Sequence, residues 1–70
     1  MELRQLRYFC AVAETGNLTR AAEGLGLRSP SLSQQIRGLE QELGAELFER
    51  SAEGMTLTAA GRALLTSTAN

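Results

Sequence analysis

The stretch that decides the fold is residues 17–44, which read NLTRAAEGLGLRSPSLSQQIRGLEQELG. Asn17 is a favoured helix N-cap residue and Gly26 is a helix breaker, so together they predict a short helix over residues 18–25. The apolar residues of this helix recur at helical spacing and predict an inner face made of Leu18, Ala21, Ala22 and Leu25.

A second, longer helix is predicted over residues 29–43, ending at Gly44. Ser29 precedes Pro30, which places an N-capping hydroxyl next to a residue suited to the first helical turn. The apolar stripe of this helix is the most regular in the sequence and consists of Leu32, Ile36, Leu39 and Leu43. Two helices joined by about three residues that include a glycine are typical of a helix-turn-helix.

A further helix is predicted before this stretch, over residues 2–14, with Gly16 as its stop. Its apolar face is formed by Leu3, Leu6, Phe9, Cys10 and Ala13. Because Cys10 lies within that stripe, we expect a buried structural thiol rather than a reactive one.

The pattern changes after Gly44 from helical spacing to two short segments, residues 47–50 and 55–58. Residues 51–54 separate them and end in Gly54, which tolerates a positive φ, so we predict a β-hairpin, the wing of a winged helix. Thr58 is expected to cap a last helix that begins at residue 59. The apolar stripe of that helix is Ala60, Ala63, Leu64 and Leu65, with no later segment to cover it, which suggests self-association or a longer chain.

Composition bounds the chemistry. Seventy residues form one small domain, in which a single lone cysteine, Cys10, excludes both a disulfide framework and a Cys/His zinc site. The chain has no His, Lys or Asp, so the common general bases and Schiff-base amines are missing. We therefore expect no enzyme, no metal and no cofactor. No apolar run reaches the length of a membrane span, and a cytoplasmic location is expected.

The net charge of −1 hides a division along the chain. Residues 15–39 carry three Arg and one Glu, whereas residues 40–53 carry five Glu and one Arg. Phosphate binding depends on the local field on one face and not on the total charge. The helix-turn-helix stretch is therefore still compatible with nucleic acid.

The order of these pieces resembles the N-terminal DNA-binding domain of LysR-type transcriptional regulators. The resemblance covers about residues 2–65, nearly the whole chain. It is carried by LRQLRYF (3–9), LTRAA (18–22), SP with LSQQIR (29–37), LEQELG (39–44), LFER (47–50), and LT with Gly61. Six pieces in order at matching spacing are far more specific than any one of them.

This resemblance implies a mainly α, winged helix-turn-helix fold with a three-helix core, a β-hairpin wing and a C-terminal linker helix. We expect the winged helix-turn-helix to occupy residues 1–58 and the linker or dimerisation helix to begin in residues 59–70. The family implies that the helix over residues 29–43 enters the major groove and that the wing lies along the DNA backbone or near the minor groove. It also implies that two subunits pair through the helix after Thr58. The expected partners are thus double-stranded DNA, as an interrupted palindromic operator, and a second copy. An effector ligand would act only through a C-terminal region beyond this sequence.

Eight residues are candidates for DNA contact. Short or amide side chains at the start of a helix can reach base edges, and backbone N–H groups at helix N-termini suit phosphate oxygens. We expect base contacts from Ser29, Ser33 and Gln34, and apolar contact with a thymine methyl from Pro30 and Ser31. Thr19 marks one phosphate-binding helix N-terminus, and Arg37 and Arg50 are candidate backbone contacts.

Three positions depart from the family pattern. Ser29 stands where members commonly carry Gln, and Arg28 stands where they commonly carry the capping Ser. Glu53 replaces a frequent wing Arg, so a phosphate attraction becomes a repulsion at that position. Together with the acidic residues 40–53 and the net charge, this departure leaves an alternative open: a winged-helix module for protein–protein contact with little DNA affinity.

Overall fold

Four helices and one hairpin follow each other along the chain. The computed structural model describes residues 2–68. Its elements are α1 (Leu3–Thr15), α2 (Leu18–Leu25), α3 (Ser29–Leu43), β1 (Phe48–Ser51), β2 (Gly54–Leu57) and α4 (Ala59–Thr68). This order confirms the predicted winged helix-turn-helix, with α2 and α3 at the predicted bounds and α1 one residue later than predicted. No helix within residues 2–68 is long and apolar enough to cross a membrane.

The helix ends agree with the sequence except at the start of α3. The Asn17 side chain caps α2 by accepting a hydrogen bond from the Arg20 backbone N–H at 3.0 Å. The prediction that Ser29 caps α3 is wrong, because Arg28 holds the extended N-cap conformation and Ser29 is already the first helical residue. Arg28 makes no side-chain capping hydrogen bond. The hydroxyl of Ser29 is therefore available for a contact outside its own helix.

Nine apolar residues from α1, α2, α3 and the start of the hairpin form one buried core. They are Phe9, Val12, Ala21, Ala22, Leu32, Ile36, Leu39, Leu47 and Phe48. The rings of Phe9 and Phe48 lie 5.4 Å apart between centroids and are tilted by 47°, a favourable aromatic arrangement that ties the hairpin to α1. Val12, fully buried, was absent from the predicted face of α1.

Two leucines of the predicted apolar stripes are exposed. Leu3 is 75% exposed and Leu43 is 41% exposed. Each is the terminal residue of its helix, where neighbouring elements cover less of the helix surface. Cys10 is half-buried rather than fully buried, since its thiol faces α4, with Sγ 3.8 Å from the Thr68 hydroxyl.

Each strand of the hairpin lies one residue from its predicted bounds, β1 one residue later and β2 one residue earlier. Antiparallel pairing runs from Phe48 opposite Leu57 to Ser51 opposite Gly54, so the connection is two residues long instead of four. Gly54 has a φ of 130°, and a Cβ there would collide with the carbonyl oxygen of Gly16. That carbonyl also accepts a hydrogen bond from the Met55 N–H at 3.0 Å. The hairpin is thus docked on the turn between α1 and α2.

The last helix begins as predicted, with the Thr58 hydroxyl accepting from the Gly61 N–H at 3.0 Å. The expectation that nothing in the chain covers its apolar stripe is wrong for three residues, which are half-buried and pack against the core: Ala60, Leu64 and Leu65. Ala63 is exposed. Residues 69 and 70, part of the predicted linker segment, lie outside the described residues.

Candidate nucleic-acid interface

The first half of α3 presents a polar row to solvent. Leu32, Ile36 and Leu39 are fully buried, which fixes the rotation of the helix about its axis. The residues turned away from the core are the exposed Pro30, Ser31, Gln34 and Arg37, with the half-buried Ser29 and Ser33 at the edges of the row. Six of the eight predicted contact residues therefore lie on one side of one rigid helix.

The N-termini of α2 and α3 lie side by side. The Ser29 hydroxyl donates a hydrogen bond to the Thr19 hydroxyl at 3.4 Å, across ten residues of chain. Thr19 is exposed, and the first backbone N–H groups of each helix have no partner within the helix itself. This brings two N-terminal ends, each carrying the positive end of a helix dipole, to the same surface as the polar row.

The wing reaches the polar row through one side chain. Arg50 of β1 donates from Nη1 to the Ser33 hydroxyl oxygen at 3.0 Å. Arg50 is exposed, so the rest of its guanidinium is accessible to solvent. Two residues predicted separately, one on the helix and one on the wing, are in direct contact.

Two open grooves meet at Arg50. The first lies between β1 and the second half of α3 and is lined in part by Arg37, Glu40 and Glu49. The second lies between the wing and the start of α2 and is lined by residues 17–19 and 50–55. Arg50 lines both grooves and therefore stands where α2, α3 and the wing converge.

One contact of this surface was missed by sequence reasoning. The Glu40 carboxylate accepts hydrogen bonds from the backbone N–H groups of Leu47 at 2.8 Å and Phe48 at 3.4 Å. Sequence reasoning treated Glu40 as part of a solvated acidic helix end and did not identify it as the acceptor for backbone N–H groups seven and eight residues later. A tight turn at Gly44 followed by a buried Leu-Phe pair, whose N–H groups need acceptors, was the available signal.

Comparison with known proteins places this geometry in a family. A family model described as "bacterial regulatory helix-turn-helix protein, lysR family" matches residues 3–62. The transcriptional regulator TfdT of Cupriavidus pinatubonensis is 52% identical over 65 residues, which cover 93% of this chain and 28% of TfdT. The chain thus spans little more than a quarter of that relative.

Two solved structures that contain DNA have the same fold. The CbnR_DBD–DNA complex matches with a TM-score of 0.94 and 49% identity, covering 99% of this chain and 79% of that chain. BenM_DBD on catB site 1 DNA matches with a TM-score of 0.93 and 43% identity, covering 99% of this chain and 77% of that chain. Since the family model matches most of the 70 residues, the protein belongs to the lysR family of bacterial regulatory helix-turn-helix proteins.

Proposed function

We propose that this chain is the DNA-reading module of a LysR-type transcriptional regulator and binds double-stranded DNA sequence-specifically, with α3 in the major groove. The observation that carries the proposal is the polar row of α3, bordered by Thr19 at one end and Arg50 at the side. Its similarity to CbnR_DBD and BenM_DBD, both solved with DNA, supports the proposal.

The neutral side chains of the row are proposed to read bases. Gln34 carries an amide that donates and accepts, and Ser29 and Ser33 carry hydroxyls that do the same, which suits base edges in the major groove. Pro30 and the β-carbon of Ser31 are exposed apolar groups at the start of the helix and are proposed to contact a thymine methyl.

The charged groups and helix ends are proposed to bind the DNA backbone. Arg37 and Arg50 are exposed and line one groove, so their guanidinium groups can neutralise phosphates along the edge of the row. The N–H groups at the start of α2, around Thr19, and at the start of α3 add donors for phosphate oxygens. These contacts set affinity and orientation, while sequence preference comes from the neutral row.

The assembly we propose has two copies. Residues 1–58 form the winged helix-turn-helix unit, and residues 59–70 begin a linker helix through which two chains pair on an interrupted palindromic operator. Because this chain spans 28% of TfdT, we also propose that an effector ligand acts through a region beyond residue 70. We propose that the module has no enzymatic activity or cofactor and works in the cytoplasm, where bacterial DNA is found.

Selection of bound duplexes from a random DNA pool at physiological salt tests the DNA-reading function. We expect enrichment of two half-sites related by a dyad, because a symmetric dimer presents two copies of the polar row. Binding without enrichment would contradict sequence-specific reading, and no binding at all would contradict the proposal as a whole.

Pairing through α4 is tested by the exposed Ala63. We expect Ala63→Glu to shift the chain from dimer to monomer in gel filtration with light scattering, because like charges would meet across a two-fold interface. Ala52→Glu in the wing turn is the matched control and should leave the protein a dimer by light scattering. Equal masses for both variants and the parent chain would contradict pairing through this helix.

A second candidate function is a winged-helix module for protein contact. The observation that favours it is the acidic side of the groove between α3 and β1, which includes Glu40, Glu46 and Glu49. Such a surface repels phosphate and suits a basic protein partner. Salt-sensitive binding to duplex DNA excludes this alternative as the main activity, because acidic surfaces do not release DNA counterions.

A further inference from the structure

The contact between Arg50 and Ser33 leaves a set of hydrogen-bond donors exposed. A hydroxyl has one donor and two acceptor sites, and a guanidinium has five N–H donors. The 3.0 Å bond uses one guanidinium N–H and one lone pair of the hydroxyl. The remaining N–H groups of the guanidinium are all hydrogen-bond donors, and the Ser33 O–H can also donate to a group in solvent. An anion that only accepts, such as a phosphate, matches this pair.

The same region lies beside a helix N-terminus. Arg50 shares its second groove with residues 17–19, where the α2 backbone N–H groups and the positive end of the helix dipole lie. Glu53 also lines that groove and is the acidic residue among those lining it. Arg50 therefore borders both the Ser33 hydroxyl and the groove that contains the start of α2.

The position of Arg50 depends on where β1 lies on α3. Side chains two residues apart lie on the same face of a strand, so Arg50 shares a face of β1 with the buried Phe48 and reaches Ser33 of α3 from that face. Ser33 and Glu40 are seven residues apart, about two turns of helix, and so lie on the same face of α3. The Glu40 carboxylate accepts a hydrogen bond from the Phe48 N–H at the start of β1, and the Ser33 hydroxyl accepts one from Arg50 two residues further along the strand.

We propose that Glu40 is a positioning residue for DNA contact: its carboxylate fixes the start of β1 on α3, so that Arg50 and Ser33 bind one backbone phosphate together. The inference rests on the proposed function. Glu40 does not touch DNA and, as a negative charge, opposes phosphate binding by its field. Its contribution is geometric, because its hydrogen bonds to the Leu47 and Phe48 N–H groups add to the packing of Phe48 in fixing where β1 begins.

The test compares Glu40→Ala with Glu40→Gln. Both variants remove the same charge, but only glutamine keeps an oxygen that can accept from the Leu47 and Phe48 N–H groups. The probe is a fluorescein-labelled duplex of about 30 base pairs, long enough for two half-sites, carrying the sequence enriched from the random pool, or a mixed sequence if none is enriched. Binding is measured by anisotropy across a salt series.

We expect Glu40→Ala to bind about tenfold more weakly than Glu40→Gln, the size of one lost charge-assisted hydrogen bond. Its slope of log affinity against log salt should be shallower by about one unit, because one phosphate is released. In an Arg50→Ala background the two Glu40 variants should bind equally. A purely structural role for Glu40 would leave the gap between them unchanged when Arg50 is absent, and that result would overturn the proposal.

Two further variants keep the test decisive. Glu40→Asp retains the charge but has a shorter side chain, so it should fold even if Glu40→Ala does not. Its slope of log affinity against log salt should still be shallower than that of the parent chain. An unchanged slope would overturn the proposal. Ser33→Ala and Arg50→Ala should be non-additive, since they share one phosphate. If the parent chain binds no duplex, the proposed function itself fails; if it binds and the Glu40 variants are alike, only this inference fails.

Discussion

Helix α3 and the wing border the same surface but are held in place by different means. In α3, Leu32, Ile36 and Leu39 are fully buried, so the core fixes the helix. Among the hairpin residues, all of which the structure describes, Phe48 alone is buried. The wing is held by Phe48, which packs on Phe9, and also by hydrogen bonds to Glu40 and to the Gly16 carbonyl.

The two regions also differ in the charge of their exposed side chains. The N-terminal half of α3 presents neutral side chains on a rigid element, which suits base readout at fixed geometry. The wing presents charges, Arg50 together with Glu49 and Glu53, on a short hairpin. On the proposed function, sequence preference resides on α3, whereas the wing sets affinity and its dependence on salt.

The largest expected effect comes from removing core support for α3. Ile36→Ala should lower the free energy of unfolding by about 2–5 kcal/mol, because it leaves a cavity under the helix. A domain of this size has only about 3–5 kcal/mol to lose, so much of the protein should unfold. Urea denaturation followed by far-UV circular dichroism measures the change.

Leu43→Ala is the matched control for this prediction, being in the same stripe but 41% exposed. It should cost less than about 1 kcal/mol. Equal losses for the two variants would show that α3 is not held by its buried stripe.

The next effect separates the wing from the helices. Gly54→Ala should lower the free energy of unfolding by about 1–3 kcal/mol, because an L residue is strained at its φ of 130° and its Cβ would meet the Gly16 carbonyl. DNA affinity should fall as well, since the wing must move. Urea denaturation and anisotropy on the same sample measure both.

Gly24→Ala in α2 provides the contrasting glycine. A Cβ at position 24 meets no atom within 4 Å, and alanine is the better helix former, so stability should rise by up to about 1 kcal/mol with DNA binding unchanged. If Gly54→Ala were as well tolerated as Gly24→Ala, the docking of the wing on the α1–α2 turn would be wrong.

A smaller effect is expected for the charge at the edge of the polar row. Arg37→Ala should weaken binding to every duplex and reduce the salt slope by about one unit, because one phosphate contact is lost. Arg7→Ala, at an exposed position on α1, removes the same charge and should leave the slope unchanged. A change in base preference in Arg37→Ala would show that Arg37 contacts a base and not the DNA backbone.

The smallest effect concerns the acidic residue at the wing turn. Glu53→Gln should raise affinity two- to threefold at low salt, roughly, and by less as screening increases, since it removes a repulsion from phosphate. Glu14→Gln at the end of α1 is the control with the same charge change. Equal affinities for the two variants would place the wing turn away from the DNA backbone.

Sequence reasoning recovered the elements because each carries local signals. The spacing of Leu32, Ile36 and Leu39 identified the buried face of α3, and the glycine at position 44 identified its end. The errors occurred where tertiary packing decides the outcome: Leu3 and Leu43 follow the apolar period but lie at helix ends that neighbouring elements cover less. Periodicity shows which face of a helix is apolar but not how much of that face the neighbouring elements cover.

The candidate site could be predicted only as a set of separate residues. The polar face of α3 follows from helical geometry, and a role for Arg50 follows from its place beside the wing. The hydrogen bonds from Arg50 to Ser33 and from Leu47 to Glu40 depend on how a strand lies against a helix, which no local pattern encodes. The hydroxyl of Ser29 was expected to cap α3 and instead contacts Thr19.

The central claim, that the neutral row of α3 reads the bases, is tested most directly by repeating the random-duplex selection with Gln34→Ala. We expect preference to be lost at one position in each half-site, by about 1–3 kcal/mol, while the other positions and the salt slope remain. An enriched sequence identical to that of the parent chain would contradict the assignment of base readout to this face of α3.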